Sequence, residues 1–121
     1  MGAAYYIVLE KPIAGLDTIM DGLSLSWHME TLDAVARQLG VPPLSGFFSM
    51  EPAELAEFTD GAGEAALPPL RQFPAKEGLA TVKALLARPE SQPARHDLRE
   101  CERILSAAAE HGIGWHFQVD V

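Results

Sequence analysis

Two tryptophan–histidine dipeptides, Trp27-His28 and Trp115-His116, carry the residue types in this chain best suited to chemistry. Each sets an aromatic plate beside a ring that titrates near neutral pH. If the pairs converged, they would line a ligand pocket of the usual ~300–1,000 Å³. A metal centre is not expected. His-Glu-x-x-His is absent, and no two histidines lie three or four residues apart on a helix. His116 and Asp120 share a strand, which separates their Cα atoms by about 13 Å at ~3.3 Å per residue. Side chains so far apart do not share an ion that needs ligands at ~2 Å.

The nucleophiles are equally unpromising. Cys101 shares an apolar helical stripe with Leu98 and Leu105, where a cysteine acts as a small hydrophobe with a raised pKa. No Gly-x-Ser-x-Gly elbow is present, and "DGAGEA" lacks the Lys-Ser/Thr of a phosphate loop. His111 precedes a helix-stopping Gly112 and suits the carbonyl end of that helix. His96 lies between Arg95 and Asp97 and reads as surface. Glu51, Glu54 and Glu57 recur every three residues on one side of a short helix, with Asp60 and Glu64 beyond. Such a face is commonly just solvated, and its functional alternative is a docking surface for a basic partner.

These residues are positioned by elements that the sequence punctuates clearly. "AAYYIVLE" is aromatic and β-branched and ends at Lys11-Pro12, so it reads as a strand. Thr18 to Met20 could form a short strand. "SWHMETLDAVARQLG" reads as a helix capped by Ser26 and ended by Gly40. His28, Leu32, Val35, Ala36 and Leu39 form its inner face, and Asp33 pairs with Arg37 outside. "LSGFFSM" is a short strand or an apolar loop. "EPAELAEF" is a short helix opened by Pro52. "TDGAGEAALPPLRQ" has no periodicity, and residues 59–72 read as a mobile loop. "FPAKEGLATVKALLARP" is a helix with Leu79, Val82 and Leu86 inside. The last helix opens on Asp97 as its cap, with Glu100 as a capping-box partner, and buries Leu98, Cys101, Ile104, Leu105 and Ala108. "IGWHFQVDV" then alternates, with Ile113, Trp115, Phe117, Val119 and Val121 inward and His116, Gln118 and Asp120 on the opposite face.

The bulk properties set the frame. The chain has 121 residues, 48% of them hydrophobic and 21% charged, with a net charge of −8. That suits one α+β domain over residues 1–121, a small sheet built on the N- and C-terminal strands against about four helices. The acid is uneven. Residues 1–70 carry ten acids against only Lys11 and Arg37, whereas acids and bases balance in the remainder. Nucleic acid and anionic membranes are therefore poor partners. A single cysteine and the absence of a long apolar run point to the cytoplasm. A sheet with few strands has edges to cover, so a homodimer is expected.

Across "YYIVLE", "GLDTIMDG", "FFSMEPAE", "EGLATVKALL" and "HGIGWHFQVDV" the chain resembles a family of small uncharacterised bacterial proteins. The resemblance implies a free-standing bacterial domain and brings no ligand or catalytic residue. The expected function is a non-enzymatic interaction or accessory protein, of immunity type where the Glu51, Glu54 and Glu57 face blocks a basic toxin. The alternative is a small-molecule binder or small enzyme with its pocket at Trp27, His28, Trp115 and His116. Neither reading calls for a cofactor or a metal.

Overall fold

The computed structural model describes residues 4–50 and 69–120. Strand β1 (Ala4–Leu9) leads to helix α1 (Leu23–Leu39) and a short 3-10 helix at Leu44–Phe47. Helix α2 (Ala75–Leu86), a second 3-10 helix (Pro89–Ala94), helix α3 (Arg95–Glu110) and strand β2 (Trp115–Asp120) complete the order. The architecture is α+β. Among the described residues there are three α-helices, not about four, because the helix expected after Pro52 lies outside them. Glu51, Glu54, Glu57 and residues 59–68 of the expected loop lie outside them too.

β1 and β2 pair antiparallel, with Tyr6 opposite Gln118, Ile7 opposite Phe117 and Val8 opposite His116. The period of two sends Ile7, Trp115 and Phe117 to one face, which the helices cover. Trp115, Phe117, Phe47 and Phe73 form an aromatic knot there. Trp115 lies 4.8 Å from Phe117 in edge contact and 4.9 Å from Phe47, and Phe47 meets Phe73 at 5.3 Å. The Trp115 indole lies so close to α2 that Gly78 leaves no room for a Cβ, which would stand 2.2 Å from Cζ2.

Three expected local features take other forms. α1 begins at Leu23, so Ser26 lies inside it and is not its cap. The cap comes from α3. Asp97 accepts hydrogen bonds from the backbone N–H groups of Gly22 and Ser24 and from the Ser24 hydroxyl. Asp97 therefore serves the neighbouring helix, while α3 starts two residues earlier, at Arg95, without a side-chain cap. The inner stripe of α1 is Leu25, Met29, Leu32, Asp33, Val35 and Ala36. His28 is only half-buried and Leu39 is exposed. Asp33 turns inward because the Ser45 hydroxyl and backbone N–H both donate to it, tying the Leu44–Phe47 turn to α1. Thr18 to Met20 form no strand. The "LSGFFSM" segment forms a 3-10 turn and then makes a single parallel bridge from Phe48 to Phe117.

The two edges of this sheet differ. On β2 the outward groups of Trp115 and the outward carbonyl of Phe117 are paired. Phe73 exchanges both backbone hydrogen bonds with Trp115, and the Ser49 N–H donates to the Phe117 carbonyl. On β1 the Tyr5 N–H donates to the Gly22 carbonyl, and the Glu10 N–H turns the other way, to Gly114 on the β2 side. Alternation then aims the N–H and C=O groups of Ile7 and Leu9 outward, where no backbone partner meets them among the described residues.

Candidate functional site

The expected pocket residues lie in different surroundings. Trp115 is fully buried in the aromatic knot, with its Nε1–H donating to the Pro74 carbonyl. Trp27 stands on the outer side of α1 with 69% of its surface exposed. None of the three cavities described below is lined by Trp27, His28, Trp115 or His116.

His116 is 1% exposed, on the sheet face opposite the helices. It belongs to a chain of side-chain hydrogen bonds. The Tyr6 hydroxyl donates to Gln118 Oε1 over 2.8 Å, leaving the Gln118 amide N–H to face His116 Nε2 at 3.0 Å. His116 Nε2 therefore accepts, and Nδ1 carries the proton toward Gln72 Oε1 at 3.1 Å. Gln72 reaches over from the segment that Phe73 pins to β2.

The other titratable groups inside the molecule are likewise bound into its framework. Asp97 and Asp33 accept the bonds described above. Burial pushes the Cys101 thiol far up, with Asp97 and Glu100 adding to the effect, so it stays a thiol. Burial also raises the Tyr5 phenol, helped by the charge of Asp33. Among the described residues no three His, Cys, Asp or Glu side chains converge as metal ligands would.

Among the described residues the edge of β1 at Ile7 and Leu9 is uncovered. A cavity of about 550 Å³ runs beside it. Four consecutive strand residues, Tyr6 to Leu9, line it. Neighbouring strand side chains point to opposite faces, so a cavity that touches all four lies at the strand edge and sees its backbone. The opposite wall is the chain returning from Pro12, which contributes Ile13, Leu16, Ile19 and Met20. Ile19 stands at the rim with 80% of its surface exposed.

This wall is built, not loose. Lys11-Pro12 ends the strand, and Gly15 turns the chain at φ 80°. The Leu16 N–H donates to Ile13, and Asp17 accepts from the Ile19 N–H. Arg103 of α3 donates to the Asp17 carbonyl at 2.6 Å while its guanidinium also holds Glu100. Gly22, at φ 77°, ties the returning chain to Tyr5. A second cavity of about 400 Å³ shares Tyr6 and Met20 and continues the groove to Ala4, Asp21 and Asp120. Lys11 thus lies at one end and two carboxylates at the other. A third, smaller cleft of about 160 Å³ lies between the start of α2 and the end of α3.

Helical and strand periodicity do not reveal this groove. Its signal was present in "PIAGLDTIMDG", a turn-rich stretch carrying Ile13, Leu16, Ile19 and Met20 with no period to bury them. No family model, curated protein or solved structure matches this chain.

Proposed function

We propose that this protein is a non-enzymatic interaction module that binds its partner along the open edge of β1. One observation carries the reading. The backbone groups of Ile7 and Leu9 face a preformed apolar groove, while the buried acids, the cysteine and His116 are already engaged in internal contacts. Strand edges of this kind are usually blunted or covered, because they pair readily with other chains. Here Phe73 and Ser49 cover β2 at Trp115 and Phe117, whereas β1 stays open at Ile7 and Leu9 among the described residues. A basic partner surface meeting Glu51, Glu54 and Glu57 is a companion proposal, which charge reversal at those three positions tests.

The groove reading is tested by placing a photocrosslinking residue at Ile19 and, as a control, at Glu30 on the outer side of α1. Crosslinks to a defined partner from Ile19 and none from Glu30 support it. Equal crosslinking from both positions counts against it.

A further inference from the structure

We propose that the occupant of the groove is a short extended peptide segment of a partner protein, added to β1 as a third strand, apolar in its middle, basic at one end and acidic at the other. This rests on the interaction reading above and names the partner's chemistry. Three observations select it.

The first is the backbone. Ile7 and Leu9 each present an outward N–H and C=O. A guest strand satisfies those groups with the alternating bonds of a ladder, which a compact ligand cannot follow. Ile7 is only 4% exposed, so its outward groups lie at a nearly dry position, where a missing bond is costly.

The second is the wall of the slot. The chain from Ile13 to Met20 lines the cavity together with β1. A guest strand paired with β1 lies ~4.8 Å from it, within this cavity. A second copy pairing through its own β1 would carry its own Ile13–Met20 wall on that same edge, so the two walls would collide. A single segment from a partner is therefore favoured over self-pairing. Opposite Tyr6 to Leu9 the guest contributes about four residues, at ~3.3 Å each.

The third is charge. Lys11 flanks the groove where β1 ends, and Asp21 and Asp120 flank it where β1 begins. A guest with its carboxylate near Lys11 and its cation near the aspartates complements both ends. Ile13, Leu16, Ile19 and Met20 take the apolar side chains between.

The probe is a fluorescent peptide with alternating valine and threonine, glutamate at one end and lysine at the other, made in both chain directions. Binding is read by anisotropy against the full chain. Saturable binding is expected for at least one direction, with a loss of about tenfold or more for the Ile19→Asp variant, since a charge at the apolar rim opposes burial. Ile19 is a surface residue, so the variant keeps its fold, and circular dichroism checks this. Methylating alternate peptide nitrogens should abolish binding in one phase of the alternation and spare it in the other. Lys11→Glu together with Asp120→Lys should weaken this peptide and restore binding of one with its end charges exchanged.

Two results overturn the proposal: no saturable binding of either direction at millimolar peptide, or binding indifferent to N-methylation. Reversible dimerisation in sedimentation, lost in Ile19→Asp, overturns it in favour of a second copy. If the peptides fail while the crosslinker at Ile19 still captures a defined partner, the edge remains the docking site and only the partner's chemistry is wrong.

Discussion

At the scale of single residues, the buried polar groups govern stability. Asp97 accepts three hydrogen bonds from Gly22 and Ser24, joining the start of α1 to α3. Replacing Asp97 by alanine strands those donors in a buried place and should cost about 3 kcal/mol in urea unfolding, since hydrogen bonds to charged groups contribute ~1.5–3 kcal/mol. Ser24→Ala removes one bond and should cost about 1 kcal/mol. Ser91 is the opposite case. Its hydroxyl is buried without a hydrogen-bond partner among the described residues. Ser91→Ala should therefore stabilise the protein by about 1 kcal/mol, because an unpaired buried hydroxyl costs ~1–3 kcal/mol and only a small void replaces it. Burial of Cys101 makes a kinetic prediction. A disulfide reagent at neutral pH should modify it at the rate of unfolding, and denaturant should make the reaction immediate. The same raised pKa has a sign in stability. Unfolding releases a thiol that ionises above ~8.5, so the contribution is intact below that pH and lost as pH rises beyond it.

At the scale of elements, close approach decides what helix propensity alone would misjudge. Gly78 lies inside α2, where alanine gains about 1 kcal/mol in propensity. A Cβ at this site would stand 2.2 Å from the Trp115 ring, which Phe47 and Phe117 hold on its other sides. Overpacking of ~1–3 kcal/mol or more then prevails, so Gly78→Ala should lower the thermal midpoint. The open edge of β1 has its own signature in amide exchange. Tyr6 and Val8 direct their N–H groups to β2, whereas Ile7 and Leu9 direct theirs into the groove. Protection should alternate along the strand, with Ile7 and Leu9 exchanging at least about tenfold faster than their neighbours. Uniform protection from Tyr6 to Leu9 would mean the edge is covered. A bound peptide should remove the alternation.

At the scale of the whole molecule, α3 holds the groove wall in place. Arg103 bonds to the Asp17 carbonyl and to Glu100 together. Its hydrogen bond holds the Glu100 carboxyl below the usual carboxylate range. That contribution is present at neutral pH and lost as pH falls below ~4.3 through the lowered folded value. The pair is partly exposed, so the effect on global stability is small. Its local effect should be visible. Arg103→Ala should raise amide exchange of the 16–20 segment and weaken groove ligands while leaving the free energy of urea unfolding within about 0.5 kcal/mol. No described helix is long and apolar enough to cross a membrane.

The sequence by itself determined the periodic parts. The burial of Leu98, Cys101, Ile104, Leu105 and Ala108 follows from helical spacing, and the inward Trp115 and Phe117 follow from alternation. Local chemistry also marked both terminal strands and the stops at Gly40 and Gly112. Tertiary structure decided the rest, because the deciding partners lie far apart in the chain. Asp97 reads as its own helix's cap until α1, 73 residues away, brings Ser24 to it. His116 reads as an outer-face residue until Gln72 is carried over it. The unperiodic apolar residues of "PIAGLDTIMDG" mark the groove's wall in the sequence but do not say which edge it faces. The groove exists because two distant segments cover β2 at Trp115 and Phe117 while the chain after Pro12 stops short of covering β1 at Ile7 and Leu9. Pairing of backbone edges depends on position in space and is invisible to the identity of the side chains.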